Sequence, residues 1–263
     1  MVPTTYWGYD DCGHNDEARK EIKALFDKPP FDSPKPTRLL KQIVQIGADK
    51  DSVILDFFSG SATTAHAVLQ LNAEDGGHRK FVMVQLPEVT DEKSKAYKEG
   101  YKNICAIGKE RIRRAAKKIA EENPEAKFDG GFRVLKCDTS NMKNVYYNPA
   151  EYEPSLFTSL EDNIKEDRTS EDLLFQVMLD LGVLLSSKIK ETTIAGKRVF
   201  NVEDNYLIAC FDDNVTEEAI TEIAKQKPYY FVMRDSSMAN DSVATNFEQI
   251  FATYSPDTVR KVL

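Results

Sequence analysis

Residues 53–68, VILDFFSGSATTAHAV, bring together an apolar run, an acid, a string of small residues and a helix-like pattern. The apolar run ends at Asp56, and the helix-like pattern begins at Thr63. A second apolar run, KFVMVQL, follows at residues 80–86 after a Gly-Gly turn. Strand, helix and strand in this order form the unit of a parallel sheet, in which ligands bind at the carboxyl ends of the strands. The stretch therefore predicts an α/β fold with a ligand site in loop 58–62.

The small residues of this loop would let a ligand approach the backbone. Gly60 has no side chain in the way, and the hydroxyl of Ser61, Thr63 or Thr64 can cap the helix that follows. The free N–H groups of a helix N-terminus favour a carboxylate or a phosphate, and Asp56 can accept a hydrogen bond from an ammonium or hydroxyl group. An acid beside a helix N-terminus would match the amino-acid end of S-adenosylmethionine.

Other interpretations of the loop compete with this one. A P-loop requires GxxxxGK[ST], but no lysine follows Gly60. A dinucleotide site requires GxGxxG, but the loop has a single glycine. A plain strand-loop-helix connection stays open when the loop is considered alone.

The chain as a whole predicts two α/β regions joined by a polar linker. We expect a proline-broken segment over 1–36, the cofactor-binding region over 37–140, the linker over 141–168 and a smaller α/β module over 169–263. The first part predicts helices near 16–26 and over 37–47 and 91–120, and a strand over 131–137. The module predicts helices over 171–185, 216–226 and 244–252, a hairpin around Asp204 and a strand over 229–234.

The predicted helix over 91–120 carries a basic face near its C-terminal end, which is either solvated or in contact with phosphate. Its members are Lys109, Arg111, Arg113, Arg114, Lys117 and Lys118. The net charge of the chain, −8, argues against nucleic-acid binding through bulk charge.

The four cysteines and three histidines form no disulfide or metal-ligand pattern. This predicts reduced thiols in a cytoplasmic protein and no metal site. We expect no membrane span, because no apolar run is long enough, and no signal peptide over residues 1–16.

Several blocks resemble one family, the modification subunits of Type III restriction–modification systems, which are DNA adenine N6-methyltransferases. The block DFFSGSATTAHAVLQLNAEDGGHRKFVMVQLPE (56–88) resembles the S-adenosylmethionine-binding region of that family. FDSPKPTRLLKQIVQIG (31–47) resembles its Lys-Pro segment, which precedes the glycine motif in this circularly permuted class. Residues 100–115, 131–141 and 240–263 resemble its downstream signatures, so the resemblance covers nearly the whole chain.

The resemblance implies a partial, Rossmann-like methyltransferase sheet with S-adenosylmethionine as cofactor, followed by a second, smaller C-terminal α/β domain. The residues implied around the methionine part of the cofactor are Asp56, Phe57, Phe58, Ser59, Gly60, Ser61, Ala62, Thr63 and Thr64. Lys35, Pro36 and Thr37 would line the same site. Gln85, Leu86, Pro87 and Glu88 would lie near the ribose and adenine.

The chain departs from the family pattern at two of these positions. Ala62 stands where related enzymes usually have a second glycine, and we expect its backbone to avoid positive φ. Gln85 takes the approximate place of the ribose-binding acid, and Glu88 follows three residues later.

The family's catalytic motif, Asp-Pro-Pro-Tyr, has no counterpart in this sequence. The nearest string is KPPF at 28–31, and a lysine at its first position can only donate hydrogen bonds. The resemblance therefore implies the C-terminal portion of a site-specific, adenine-specific DNA-methyltransferase that is inactive alone. Its implied partners are DNA, a restriction subunit and the missing N-terminal half. Exposed sheet edges would also favour a homodimer.

Two alternatives to this reading remain. The chain would otherwise be a non-catalytic subunit-interaction module with a vestigial cofactor loop. A methyltransferase acting on a small molecule is the third reading, but no residue stands out as its acid or base.

Overall fold

The computed structural model describes residues 5–143 and 163–263, and the chain divides into two compact units, Met1–Leu135 and Lys136–Leu263. The middle of the predicted linker, residues 144–162, lies outside the described residues. Both units combine helices and strands, which confirms the α/β class. None of the helices in the described ranges has both the length and the apolar character needed to cross a membrane.

The first unit contains the predicted strand-helix-strand arrangement. Its helices are α1 (Tyr9–Cys12), α2 (Asn15–Leu25), α3 (Thr37–Gly47), α4 (Thr63–Asp75), α5 (Lys95–Lys98) and α6 (Ile104–Glu122). Its strands are β1 (Val53–Asp56) and β2 (Lys80–Met83). The two strands are parallel, with Val53 opposite Lys80 and Asp56 opposite Met83.

Helix α4 forms the centre of the first unit. Every residue from Thr63 to Leu69 is buried. Leu69 packs in one cluster with Ile112 of α6, and Leu71 packs in another with Val44 of α3. A helix that is apolar on all sides has to be enclosed by other elements, and the run of alanine, valine and leucine in α4 meets that condition.

One face of the β1–β2 sheet is covered, and the other is exposed. Ile54 and Phe81 pack toward α3 and α4. The alternate residues of the two strands and the residue just after β2 point the other way, and they form what we call the bare sheet face: Val53 (62% exposed), Leu55 (59%), Val82 (47%) and Val84 (48%). Parallel sheets are normally covered on both faces, so this apolar surface is unusual for the fold class.

The second unit is a five-stranded mixed sheet between helices. Its helices are α7 (Ser170–Asp180), α8 (Glu217–Lys225) and α9 (Asp241–Tyr254), with a 3-10 turn at Asp235–Ser237. Its strands are β3 (Ile189–Ile194), β4 (Lys197–Val202), β5 (Leu207–Cys210), β6 (Tyr230–Met233) and β7 (Val259–Val262), in the order β3-β4-β5-β6-β7. Strands β3, β4 and β5 pair antiparallel, and β5, β6 and β7 pair in parallel.

Strand β5 divides its side chains between two cores. Ile208 and Cys210 lie in the core that includes α8 and α9, whereas Leu207 and Ala209 lie in the core that includes α7. Successive side chains of a strand point to opposite faces, so a strand buried on both faces is apolar at every position.

The structure corrects several predicted elements. The predicted helix over 91–120 is two helices, α5 and α6, because the chain turns at Gly100, which has φ +90°. The predicted strand over 131–137 does not form. Strands β3 and β7 escaped prediction. Both lie at sheet edges, where strands carry charged residues in place of an apolar run.

The turn between β3 and β4 gives a test of this fold. It runs through Ala195 and Gly196, with φ +47° and +77°. Two-residue hairpin turns with two positive φ values favour Asn-Gly, and alanine is strained there. We expect Ala195→Asn to slow hydrogen exchange of the β3–β4 amides by a factor of about two to five, the equivalent of roughly 0.5–1 kcal/mol.

The matched control for this substitution is Thr193→Asn, at an exposed strand position of the same hairpin. It should bring no gain in protection, since asparagine is a poor strand residue. Equal protection in both variants would contradict the turn conformation.

Candidate functional site

A tight turn connects β1 to α4, and we call residues 57–62 the glycine loop. Within it the Ala62 amide donates to the Ser59 carbonyl at 2.7 Å. The Ser59 amide donates to the Val84 carbonyl at 3.2 Å, just beyond β2. The loop is therefore folded on itself and attached to the carboxyl end of the neighbouring strand.

Asp56 organises the loop from the end of β1. Its Oδ1 accepts a hydrogen bond from the Phe58 amide at 3.1 Å, and its Oδ2 accepts one from the Thr64 hydroxyl at 2.5 Å. The carboxylate thus joins the start of the loop to the first turn of α4. The side chain is half-buried, and each oxygen keeps a second lone pair for a further donor.

Gln85 brings the end of β2 to the loop. Its Oε1 accepts a hydrogen bond from the Gly60 amide at 2.7 Å, and its Nε2 donates to the Leu86 carbonyl at 3.2 Å. The predicted neighbours Leu86, Pro87 and Glu88 are exposed beside it. Of the two candidates for the ribose-binding position, Gln85 is the one in contact with the loop.

No side chain in the described part of the chain caps the N-terminus of α4, so the predicted capping by Ser61, Thr63 or Thr64 is wrong. The three hydroxyls have other partners, because Thr64 donates to Asp56 and the other two accept from Arg111. Among the described contacts, the first three amides of α4 have no acceptor. Such amides, together with the helix dipole, favour an anion.

Ala62 adopts the left-handed conformation that the sequence prediction excluded. Its φ and ψ are +60° and +41°, in a region that costs an L-residue about 1–2 kcal/mol. The position is enclosed by α6, which comes close at Gly108: a Cβ there would lie 3.5 Å from the Ala62 Cβ and 3.4 Å from the Gly60 carbonyl oxygen. Gly108 is thus a residue that the sequence analysis did not assign to the site.

Arg111 was predicted on a basic face that is solvated or in contact with phosphate, but the structure buries it completely. Its Nη1 donates to Ser61 Oγ at 3.0 Å and to Thr63 Oγ1 at 2.6 Å. Its Nη2 lies 3.9 Å from a carboxylate oxygen of Glu21. Burial lowers the pKa of Arg111 to about 10, so the guanidinium is still charged at neutral pH.

The Lys-Pro segment reaches the glycine loop at a residue that the sequence analysis did not select. Lys35 is exposed, and Pro36 and Thr37 are buried. The Thr37 amide donates to both carboxylate oxygens of Glu21, at 3.0 and 3.3 Å. The ring of Phe31 lies 3.8 Å from the position that a Cβ on Gly60 would take, so this side chain comes close to the loop.

A cavity of about 210 Å³ lies between α2, α3, α4 and α6. Its lining includes Glu21, Thr37, Lys41, His66 and Lys118. His66 is 5% exposed, and its Nδ1 has no hydrogen-bond partner among the described residues. Burial, reinforced by the nearby cations, lowers the pKa of His66 to about 3, so the imidazole is neutral at physiological pH.

Known proteins are similar in sequence to this part of the chain. The family model described as DNA methylase matches residues 2–122. The match includes the Lys-Pro segment, the glycine loop and α6. These elements are thus similar in sequence to those of the DNA methylase family.

Three curated relatives are more specific. The Type III restriction-modification enzyme StyLTI Mod subunit of Salmonella typhimurium is 49% identical over 144 residues, 54% of this chain and 22% of that protein. The EcoPI Mod subunit of Escherichia phage P1 is 32% identical over 225 residues, 85% of this chain and 34% of that protein. The EcoP15I Mod subunit of Escherichia coli is 31% identical over 237 residues, 88% of this chain and 34% of that protein.

The predicted kinship is confirmed: the chain is related to the modification subunits of Type III restriction–modification systems. It spans about a third, or less, of the length of these relatives.

His66 makes the stability of the first unit dependent on pH. In the unfolded chain its pKa is 6.5, whereas in the folded chain it is about 3. As the pH falls below 6.5 the unfolded state binds the proton first, so the first unit loses stability, by about 2 kcal/mol at pH 5. We expect His66→Leu to remove about this much of the difference between pH 7.5 and pH 5.

Urea unfolding followed by the fluorescence of Trp7, the single tryptophan, reports on the first unit. The matched control is His78→Leu, since the side chain of His78 is 81% exposed. An unchanged pH dependence in His66→Leu would show that another group is responsible.

Proposed function

We propose that this chain binds S-adenosylmethionine at the glycine loop and is the cofactor-binding part of a Type III DNA adenine N6-methyltransferase. The observation that carries the proposal is the uncapped N-terminus of α4 beside the half-buried carboxylate of Asp56. An anion site and an acid on one loop are complementary to the carboxylate and ammonium groups of an amino acid. The cofactor has such an end.

The other residues of the loop fit the same ligand. Gly60 is half-buried and adds no side chain to the loop. Gln85 Oε1 accepts from the Gly60 amide and keeps a second lone pair for a further donor at the end of β2. Phe57 and Phe58 are 60% and 85% exposed and provide aromatic surface at the site. When bound, S-adenosylmethionine supplies the activated methyl group, and these residues hold and orient it.

Methyl transfer also needs groups that accept hydrogen bonds from the adenine amino group. The sequence contains no Asp-Pro-Pro-Tyr motif for that purpose. We therefore infer that a complementary catalytic half supplies it and that this chain is inactive alone. The bare sheet face supports the inference, because a parallel sheet is stable when both its faces are covered.

The further partners in this proposal are DNA and a restriction subunit. DNA follows from the description of the family model, DNA methylase, and the restriction subunit from the names of the relatives, which are subunits of restriction-modification enzymes. Self-association through the bare sheet face is the other way of covering it. We also propose that the complementary half continues the β1–β2 sheet in a Rossmann-like arrangement. The complete enzyme would be cytoplasmic.

The second candidate is a non-catalytic interaction module with a vestigial cofactor loop. The bare sheet face favours it as well, since an exposed apolar patch marks an interaction surface whether or not the cofactor binds. Retention of cofactor binding distinguishes the two candidates.

Titration calorimetry of the full chain with S-adenosylmethionine tests the cofactor site. We expect binding by the wild type and at least a tenfold weaker affinity in Asp56→Asn, which loses the charge but keeps an acceptor for the Phe58 amide. The matched control is Asp51→Asn, at an 83% exposed carboxylate near β1. If the wild type is folded but does not bind S-adenosylmethionine, the result would favour the non-catalytic interaction module over the cofactor-binding function.

Reconstitution tests the division of the enzyme. We expect no methyl transfer to DNA adenine by the chain alone, and transfer once a polypeptide with the Asp-Pro-Pro-Tyr motif of a related Mod subunit is added. Leu55→Glu on the bare sheet face should abolish transfer, because it places a charge in the new interface. Ile46→Glu, at a 48% exposed residue of α3, is the control. Methylation by the chain alone would refute this division.

A further inference from the structure

The two hydrogen bonds from Arg111 to the glycine loop have a particular arrangement. Its Nη1 donates to Ser61 Oγ at 3.0 Å and to Thr63 Oγ1 at 2.6 Å. Ser61 and Thr63 are the two neighbours of Ala62, the residue with φ +60°. One guanidinium nitrogen thus holds the chain on both sides of the strained residue.

Arg111 is a costly residue for this position. It is fully buried, and its Nε and Nη2 have no hydrogen-bond partner in the part of the chain that the structure describes. A buried charge with incomplete pairing does little for overall stability, and an apolar side chain of similar length would fill the same space. The presence of an arginine here is better explained by its two hydrogen bonds to the glycine loop.

The strain at Ala62 has the same explanation. Strained backbone persists where the surrounding structure imposes it, and it is concentrated at ligand sites. A buried cation and an alanine with positive φ both cost free energy of folding, and they lie at the same turn of the chain. That turn lies between Gly60 and the first amides of α4, which have no acceptor among the described contacts.

The same guanidinium extends to the Lys-Pro segment. Its Nη2 lies 3.9 Å from Glu21 Oε2, and the Glu21 carboxylate accepts a hydrogen bond from the Thr37 amide at 3.0 Å. Arg111 and Glu21 therefore connect the loop to the start of α3, the two segments on which the proposed cofactor site depends.

We propose that Arg111 is a positioning residue, which holds Ala62 in its left-handed conformation and so keeps the cofactor-binding backbone in its binding geometry before the cofactor arrives. Arg111 acts through the loop, since its complete burial keeps it from touching the ligand. This inference rests on the proposed function, because its role is defined by S-adenosylmethionine binding.

The test combines Arg111→Met with Ala62→Gly. We expect Arg111→Met to weaken S-adenosylmethionine binding about tenfold, because the loop leaves the strained conformation when it is no longer held. Glycine adopts positive φ without strain, so Ala62→Gly should restore most of that loss in the Arg111→Met background. In the wild-type background its gain should be much smaller, since Arg111 already imposes the conformation.

The matched control is Arg79→Met, which removes a second buried arginine from the same unit. The Arg79 side chain is 4% exposed and pairs with Asp75 at 3.0 Å, at the other end of α4. If Arg111 served only overall stability, Ala62→Gly would change the affinity of both methionine variants alike. Rescue confined to Arg111→Met supports positioning.

A second readout needs no cofactor. The Gly60 amide donates to Gln85 Oε1, and the Ala62 amide donates to the Ser59 carbonyl. Hydrogen exchange of these two amides should be faster in Arg111→Met than in the wild type, and slowed again by Ala62→Gly. If the wild type does not bind S-adenosylmethionine, the proposed function fails, and this exchange measurement still decides whether Arg111 holds the loop. Unchanged exchange and unchanged affinity in a folded Arg111→Met would overturn the inference.

Should Arg111→Met fail to fold, the double variant Ser61→Ala, Thr63→Val removes the acceptors and leaves the arginine in place. It should weaken binding to a similar extent and be rescued by Ala62→Gly in the same way. Full affinity in this variant would also overturn the inference.

Discussion

The enclosure of α4 is the constraint on which the first unit depends. The helix is buried between the sheet, α3 and α6, so its position is fixed before any ligand binds. A buried arginine holds each end: Arg111 at the N-terminal turn and Arg79 on Asp75 at the C-terminal turn. The hydrogen bond from Arg79 also holds the pKa of the Asp75 carboxyl below its usual value. Because the helix cannot shift, the chain between β1 and α4 has to turn within a few residues, and small side chains and positive φ at Gly60 and Ala62 follow from that.

The elements of this arrangement were visible in the sequence, whereas its internal contacts were not. The apolar runs and the small residues between them predict strand, helix and strand correctly, since burial on all sides leaves a plain apolar signature. The same reasoning placed Asp56 at the end of its strand, whereas Gln85 was selected through the family resemblance. The hydrogen-bond partners of the loop hydroxyls depend on the position of α6. A local sequence pattern does not contain that information.

Arg111 shows why a residue type can mislead. Ile107, Ala115 and Ile119 stand four residues apart with position 111 among them, and all four are buried on the inner face of α6. The spacing is that of a core position. The sequence analysis nevertheless placed Arg111 on the basic face, because a charged side chain is rarely buried. The prediction for Ala62 was also wrong. Alanine normally avoids positive φ, and the contacts imposed by α6 explain why Ala62 does not avoid it here.

Strand β1 contributes residues both to the glycine-loop site and to the bare sheet face. Asp56 at its end belongs to the loop site, while Val53 and Leu55 on the same strand belong to the bare sheet face. Within residues 5–143 and 163–263 the β1–β2 sheet has two strands, so the position of Asp56 depends on the helix layer behind the sheet. Covering the bare face would remove apolar surface from water and stiffen β1 from its other side. Whatever fixes β1 also fixes the carboxylate that holds the glycine loop. In the proposed function, ligand binding at the loop and partner binding at the sheet would therefore share this strand.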